Sequence, residues 1–259
     1  MSDATESSNG RSGGAFLEVD DVRKHYGAIR AVDGVSLRVA PGEIVGVIGP
    51  NGSGKTTLFN AILGQIKPTS GRVAFCDEDI TGMAPLELAR RGIGRTFQSL
   101  QVFTQLSVRD NLIAAAQEFK GTLPRRLLAA PDAGLGDHAD RMIELFRLKH
   151  VATLPAGSLS YGQQKLIDIA MAFMASPRLV LLDEPCAGVN PGLVDLLRDL
   201  LVQLNTTQGG SFVVIEHNMD FIMRLCPHVI CMVEGKVLCE GPPQVVQSDR
   251  AVLDAYLGN

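Results

Sequence analysis

The stretch GPNGSGKTT, residues 49–57, combines glycines, a lysine and two threonines at a spacing that suits phosphate binding. Its glycines allow the backbone to turn N–H groups toward phosphate oxygens, and Lys55 adds a positive charge for the β- and γ-phosphates. The Thr56 hydroxyl is an oxygen ligand of the kind that Mg²⁺ prefers. An apolar run precedes the stretch and a helical pattern follows it, so we predict a nucleoside triphosphate site. The predicted nucleotide contacts are Gly49, Asn51, Gly52, Ser53, Gly54, Lys55, Thr56 and Thr57.

Two carboxylates follow another apolar run, in LVLLDEP at residues 179–185. Because α/β proteins place metal chemistry at the carboxyl ends of buried strands, we predict that Asp183 holds Mg²⁺ and that Glu184 contacts the attacking water. His217 follows the run VVIE, where it is able to hydrogen-bond the γ-phosphate and to orient Glu184. Gln98 ends the run IGRTFQ, where its amide is able to contact Mg²⁺ and the water.

A second serine-glycine element, LSYGQQ at residues 159–164, is not followed by a lysine. It therefore cannot bind a phosphate in the lysine-assisted way of residues 49–57. The phosphate loop by itself is shared by GTPases, kinases and many ATPases. No N-K-x-D guanine-recognition motif occurs in the sequence, which weakens the GTPase interpretation. A kinase with a small acceptor substrate would have no reason to combine LSYGQQ with His217.

Alternating or continuous apolar runs predict the strands that position these residues. Residues 15–22 and 34–39 alternate and predict an antiparallel pair. Residues 43–49 form the nearly continuous apolar run of a strand buried on both faces. Further strands are predicted at 178–185, 211–216, 228–233 and 236–241.

Helical patterns alternate with these strands. They predict helices at 55–63, 107–119, 137–148 and 191–204, an amphipathic helix after LSYGQQ, and a short and a final helix near the C-terminus. Gly64 is the predicted stop of the first helix, and Ser107 and Asp137 are the predicted N-caps of the next two. The segment at 84–154 is predicted to be mostly helical. The whole pattern indicates an α/β domain with a helical subdomain.

Composition limits the classes of function. The chain has 259 residues, of which 46% are hydrophobic, enough for one or two packed domains. A formal net charge of -4 argues against broad nucleic-acid binding, which normally needs a basic surface. Residues 1–14 are polar and rich in serine and glycine, so we predict a disordered tail. No apolar run approaches the roughly 18 residues that span a bilayer.

Six elements together resemble the ATP-binding subunits of ABC transporters, over about residues 15–258. They are GPNGSGKTT, TFQ with Gln98, LSYGQQ, LVLLDEP, AGVN at 187–190 and IEH with His217. The resemblance implies an α/β fold with a P-loop NTPase core, a small antiparallel β subdomain and an inserted α-helical subdomain at about 84–176, within one domain at 15–259. It also implies that ATP is the substrate and Mg²⁺ the cofactor, and that Tyr26 stacks on adenine.

The resemblance also implies a role for LSYGQQ. In this family the serine-glycine signature binds the γ-phosphate of ATP held by a second subunit, so two ATP molecules lie between two like subunits, identical or similar, arranged head to tail. The signature residues implied are Leu159, Ser160, Gly162 and Gln163. Two positions depart from the commonest pattern. Tyr161 stands where glycine is usual, and Asn190, implied in communication across the dimer, stands where aspartate is usual.

Several segments look like the subunits for uptake of branched-chain or other hydrophobic amino acids: ITGMAPLELARRGIGRTFQ, AGVNP, IEHNMDFIM, the excursion at 120–136 and the ending AYLGN. Urea and short-amide importers and lipopolysaccharide exporters are similar too, and a soluble ABC ATPase is a further alternative. An importer subunit would lie at the cytoplasmic face of the membrane, bound near residues 98–112 to permease subunits and indirectly linked to a solute-binding protein. The apolar residues of that segment include Leu100, Val102, Phe103 and Leu106.

Overall fold

The computed structural model describes residues 16–96, 100–116 and 133–257. Gln98, the predicted tail at 1–14 and most of the excursion predicted at 120–136 therefore lie outside the described residues. Within those three ranges, no helix combines the length and the apolar character needed to cross a membrane.

The described residues form two sheets. Their strands are β1 (Leu17–Tyr26), β2 (Ile29–Val39), β3 (Ile44–Ile48), β4 (Ser70–Phe75), β5 (Glu78–Asp79), β6 (Ile93–Arg95), β7 (Leu179–Asp183), β8 (Ser211–Ile215), β9 (His228–Val233) and β10 (Lys236–Gly241). The smaller sheet is antiparallel with the order β2-β1-β4-β5, which confirms the predicted antiparallel pairing of the first two strands. These two strands run further than predicted, up to a two-residue turn at Gly27, whose φ of 60° suits glycine.

The larger sheet has the order β10-β9-β3-β8-β7-β6, and its neighbouring strands are parallel except for β10 and β9. β3, β7 and β8 are buried along their whole length, as their apolar runs predict for strands covered on both faces. Because these strands are parallel, the residues that follow them emerge at the same edge of the sheet. That edge carries the phosphate loop at 49–57, the carboxylates at 183–184 and His217.

Helices cover the larger sheet. They are α1 (Lys55–Ile62), α2 (Pro85–Arg90), α3 (Val108–Ala116), α4 (Ala133–Leu145), α5 (Tyr161–Phe173), α6 (Pro191–Gln208), α7 (Met219–Leu225), α8 (Pro243–Ser248) and α9 (Arg250–Leu257). α1 stops before Gly64, as predicted, and the φ of 66° there is the left-handed conformation of a helix end. Ser107 caps α3 as predicted, because its Oγ accepts a hydrogen bond from the Asp110 N–H at 3.0 Å.

One prediction about these elements is wrong, and another is incomplete. α4 already includes Ala133 and ends at Leu145, so Asp137 lies inside the helix and does not cap it. Asp137 lies on the exposed face of this helix, whereas Ala139 lies on the buried face. The packing of the buried face, and not the Asp137 carboxylate, therefore determines the extent of the helix. The segment predicted to be mostly helical from residue 84 contains β6, which joins the parallel sheet beside β7. β6 is too short for its three residues to show a strand pattern.

Two hydrophobic cores lie on the two faces of the larger sheet. One contains buried residues of α1 and of the smaller sheet, and the other contains buried residues of α3 to α7. α5 contributes the apolar stripe predicted after LSYGQQ, because all five of its predicted positions are buried. These are Leu166, Ile169, Ala170, Phe173 and Met174. The stripe anchors the helix whose first turn carries the signature residues.

Candidate nucleotide-binding site

The phosphate loop between β3 and α1 depends on glycine at two tight positions. Gly49 has a φ of 147° and Gly54 a φ of 99°, both in the region that side chains rarely adopt. A side chain on Gly49 would collide with the carbonyl oxygen of Met232, and one on Gly54 with that of Ala31. The loop is therefore built against the backbone of β9 and β2, which fixes its shape before any ligand binds.

The Lys55 ammonium is buried within its own loop. Its Nζ donates hydrogen bonds to the carbonyl oxygens of Gly49 at 2.8 Å and Pro50 at 2.9 Å, and to the Ser53 Oγ at 3.2 Å. These three acceptors are neutral, so they solvate the ammonium without cancelling its charge. A phosphate oxygen that replaced them would form a charge-assisted hydrogen bond, which is stronger than a neutral one.

Asp183 lies at the end of β7, close enough to Lys55 for the two charges to interact. Burial raises the pKa of the Asp183 carboxyl, and the adjacent Glu184 raises it further. Burial lowers the pKa of Lys55, an effect opposed by Glu184 and Asp183. Two carboxylates at a partly buried strand end favour a cation, and the exposed Thr56 hydroxyl and Asp183 are both hard oxygen donors. This donor set fits Mg²⁺ completed by nucleotide phosphates.

Glu184 and His217 are in direct contact. The His217 Nε2 lies 2.9 Å from the Glu184 Oε1, and both side chains remain partly exposed. Glu184 also has a φ of 48°, an unusual left-handed conformation for a residue with a side chain. Its N–H donates to the Ile215 carbonyl at 2.9 Å, so the β7–β8 ladder holds this backbone in place. A contact at this distance allows the imidazole to restrict the orientation of the carboxylate.

Glu216 was not among the predicted site residues, although it stands between β8 and His217. Its side chain is 3% exposed, and it accepts hydrogen bonds from three backbone N–H groups, those of Cys186, His217 and Asn218. The available signal was a carboxylate directly after the apolar run FVVI, the same pattern that marked Asp183. Only the structure reveals that Glu216 bonds to the loop that follows β7.

The signature residues lie at the start of α5: Leu159 precedes the helix, Ser160 is its N-cap, and Gly162 and Gln163 belong to its first turn. Ser160 is exposed and caps the helix, because its Oγ accepts from the Gln163 N–H at 3.4 Å, while the Gln163 Oε1 accepts from the Ser160 N–H at 3.1 Å. A side chain on Gly162 would collide with Leu193 of α6. Leu159 accepts a bond from the amide of Gln164 at 3.0 Å. The helix N-terminus therefore faces outward with its dipole available to an anion.

Tyr161 packs against the AGVN loop at 187–190. A Cβ added to Gly188 would lie 2.8 Å from the Cε1 atom of Tyr161, so the ring and the glycine are in contact. Asn190 ends the same loop and caps α6, with its Oδ1 accepting from the Leu193 N–H at 3.1 Å. Asparagine and aspartate are comparable helix caps, so Asn190 fulfils this local role without a charge.

Tyr26 ends β1 and is half-exposed. Its ring centroid lies 4.9 Å from the Lys24 Nζ, a cation–π distance. The structure thus presents an aromatic side chain at the surface of the smaller sheet. The neighbouring strand β2 carries Ala31, whose carbonyl oxygen lies against Gly54 of the phosphate loop.

Among the described residues, no hydrogen bond joins Ser160 to the phosphate loop.

Comparison with known proteins identifies the family. A family model described as ABC transporter matches residues 32–187, more than half of the chain. This chain belongs to the ABC transporter family. The matched range includes the phosphate loop, the signature and both carboxylates at 183–184. A second model, described as branched-chain amino acid ATP-binding cassette transporter, matches residues 236–259. The ABC resemblance and its branched-chain type, predicted from the sequence, are confirmed.

Individual ABC proteins resemble the chain over nearly its whole length. The high-affinity branched-chain amino acid transport ATP-binding protein BraF of Pseudomonas aeruginosa is 34% identical over 249 residues, covering 94% of this chain and 98% of BraF. The LivG protein of Escherichia coli K12, which carries the same description, is also 34% identical over 249 residues, with the same coverage of both chains.

Solved ABC structures share the fold. An ABC transporter cassette in its ADP conformation has a TM-score of 0.85 and 35% identity, and the match covers 95% of this chain and all of that one. A dimeric bacterial ABC transporter cassette has a TM-score of 0.74 and 26% identity, covering 88% of this chain and 98% of the other. The predicted fold class is confirmed.

Proposed function

We propose that this chain is the ATP-binding and ATP-hydrolysing subunit of a membrane importer for branched-chain or other hydrophobic amino acids. The observation that carries the proposal is the contact between Glu184 and His217, at the sheet edge that also carries Lys55 and Asp183. The amino-acid substrate class is supported by the similarity to BraF and LivG and by the match at residues 236–259.

ATP binding begins with an exchange of hydrogen bonds in the phosphate loop. The Lys55 Nζ leaves its carbonyl acceptors and contacts the β- and γ-phosphates, while the loop N–H groups and the α1 N-terminus surround the phosphate oxygens. Thr56, Asp183 and Gln98 would hold Mg²⁺, and its charge would neutralise the phosphates and the leaving group. Tyr26, which is half-exposed, stacks on the adenine.

Hydrolysis requires a water molecule in line with the γ-phosphorus. Glu184 accepts a proton from this water as its oxygen attacks phosphorus, and the bond to the β-phosphate oxygen breaks. The His217 ring, 2.9 Å from the Glu184 Oε1, keeps the carboxylate oriented and contacts the γ-phosphate. Gln98 completes the positioning of the water through its side-chain amide.

Two subunits are needed for a complete site. Ser160 and the Gly162 N–H bind the γ-phosphate of ATP held by the other subunit, with support from Leu159, Gln163 and the helix dipole of α5. The exposure of Ser160 and the existence of a dimeric relative support this arrangement. Asn190, two residues after the Gly188 that contacts Tyr161, communicates between the two sites.

Replacing Ser160 with arginine is expected to leave ATP binding by the monomer unchanged and to prevent the ATP-dependent dimer. The long cationic side chain would occupy the space of the second subunit's phosphate. ATP affinity measured by calorimetry and dimer content measured by light scattering would separate the two effects. Ser248→Arg, at the exposed end of α8, is the matched control and should dimerise normally. Loss of monomer ATP affinity in Ser160→Arg would contradict the in-trans role.

The segment at 100–106 supports a permease contact. Phe103 is 54% exposed and Leu106 is 38% exposed, whereas Val102 packs against the core. We expect the double change Phe103→Ser and Leu106→Ser to reduce co-purification with the permease subunits at unchanged ATP affinity, because it removes apolar contact area. Val202→Ser, a change of a 40% exposed residue of α6, serves as the control. Undiminished co-purification of the double variant would exclude this surface.

The importer function itself is tested with the assembled complex. The chain is co-expressed with candidate permease subunits, and the complex is reconstituted in liposomes with a solute-binding protein for branched-chain amino acids. We expect ATP-dependent uptake of leucine, isoleucine or valine and ATP turnover that increases with the loaded binding protein. A complex that hydrolyses ATP but responds only to urea or amides would overturn the amino-acid assignment.

A further inference from the structure

We propose that Glu216 is a positioning residue that fixes the loop carrying Glu184 against the loop carrying His217. The inference rests on the proposed ATPase function and adds to it a residue that makes no contact with nucleotide in the mechanism above. Its basis is the way in which the β7 and β8 strands separate at the edge of the larger sheet.

The two strands remain paired up to the site and then diverge. The last paired residues of the ladder are Asp183 and Ile215, and the Glu184 N–H still donates to the Ile215 carbonyl at 2.9 Å. Beyond this point β7 leads into the AGVN loop and β8 leads into α7. Backbone N–H groups of both segments then lack a ladder partner, and buried N–H groups need an acceptor.

The Glu216 carboxylate supplies acceptors to both segments at once. Its Oε1 accepts from the Cys186 N–H at 2.6 Å, and its Oε2 accepts from the N–H groups of His217 at 2.8 Å and Asn218 at 3.0 Å. The side chain is 3% exposed, so water competes little for these bonds. Burial and then the charge of Glu216 raise the pKa of the Cys186 thiol, as expected for a carboxylate beside it.

These bonds link the two catalytic side chains through a short path. Cys186 is two residues beyond Glu184, and the His217 N–H is bonded directly. Because a carboxylate holds both segments, the backbone separation between them is fixed by one rigid planar group. The 2.9 Å contact between Glu184 and His217 depends on that separation.

A simpler local role does not account for the geometry. α7 is already capped by Asn218, whose Oδ1 accepts from the Phe221 N–H at 3.1 Å. Capping of α7 would therefore not require Glu216, and it would not explain the bond to Cys186, which lies 30 residues earlier in the chain. The hydrogen bond from the Cys186 N–H joins the two segments, and a residue that stabilised only its own turn would not form it.

Two substitutions separate these roles. Glu216→Gln keeps the volume but replaces one acceptor oxygen by an NH₂ group, which would face a backbone N–H. Glu216→Asp keeps the charge and can still accept from its neighbours His217 and Asn218, but it is one methylene too short for Cys186. We expect both variants to lose ATP turnover by about ten- to a hundredfold, the size of effect that misplaced catalytic groups cause, at unchanged ATP affinity.

Hydrogen exchange of the full-length, ligand-free protein supplies a second measurement. In Glu216→Gln we expect faster exchange at Cys186 or at residues 217–218, and in Glu216→Asp faster exchange at Cys186 alone. Asp249→Asn is the matched control, because that carboxylate also accepts from two backbone N–H groups, those of Ala251 and Val252, and its turnover should be normal.

The outcomes distinguish this proposal from the proposed function. Full turnover in Glu216→Asp, or unchanged exchange at Cys186 in that variant, would overturn the positioning role. Exchange is measured without nucleotide, so it decides the role of Glu216 even for a wild-type protein that fails to support amino-acid uptake. Failure of uptake with normal turnover, in contrast, would count against the importer function alone.

Discussion

Replacing Glu184 with glutamine is expected to lower ATP turnover by about 10²- to 10⁴-fold, the usual contribution of a positioned general base. The amide has nearly the same shape as the carboxylate and can keep a hydrogen bond to the His217 ring, but it cannot accept the proton of the attacking water. ATP should still bind, because Lys55 and the phosphate loop are unchanged. The variant should therefore accumulate as an ATP-bound dimer.

Phosphate release measures the loss of turnover. The nucleotide retained by the protein after gel filtration measures the accumulation of the ATP-bound form. Glu240→Gln, an exposed carboxylate on the edge strand β10, is the control and should hydrolyse ATP at the wild-type rate. Undiminished hydrolysis by Glu184→Gln in the assembled complex would show that another group accepts the proton.

Replacing Lys55 with alanine is expected to weaken ATP binding by about ten- to a hundredfold, since hydrogen bonds to charged groups contribute about 1.5–3 kcal/mol. The change also removes the donor that the Gly49 and Pro50 carbonyls share in the ligand-free loop. Binding is measured by calorimetric titration with ATP and Mg²⁺. The midpoint of thermal unfolding shows whether the substitution also lowers the stability of the fold.

Lys149→Ala provides the comparison for Lys55→Ala, because it removes one positive charge from an exposed position far along the chain. Its ATP affinity should equal that of the wild type. Tight ATP binding by Lys55→Ala, with a normal Lys149→Ala control, would rule out the assigned role of the phosphate-loop lysine.

Much of the fold could be predicted because its central strands leave a strong pattern. β3, β7 and β8 are covered on both faces, so their sequences must be continuously apolar, and the polar residues that follow them stand out. β6 and the start of α4 were missed for the opposite reason. A strand of three residues shows no periodicity, and an exposed aspartate such as Asp137 resembles a cap wherever it lies in a helix.

The site residues were predictable where the chemistry requires a particular residue type. They were less predictable where tertiary packing determines which side chains and segments meet. Lys55 and Asp183 follow from their motifs, but the partners of Glu216 and Tyr161 depend on which segments meet in space. Cys186 and Gly188 belong to the loop that contacts them, and nothing in the sequence indicates that this loop bends back toward Glu216 and Tyr161. Gln98 lies outside the described residues, and its role stays a prediction.

The left-handed backbone of Glu184 sets stability against activity at a single position. A residue with a side chain adopts a φ of 48° at a cost of about 1–3 kcal/mol, which glycine would largely avoid. Selection for folding alone would therefore favour glycine here and would discard the carboxylate. A library screened for heat resistance would enrich such chains, which would be well folded and unable to turn over ATP. Any programme to stabilise this protein must hold this position constant.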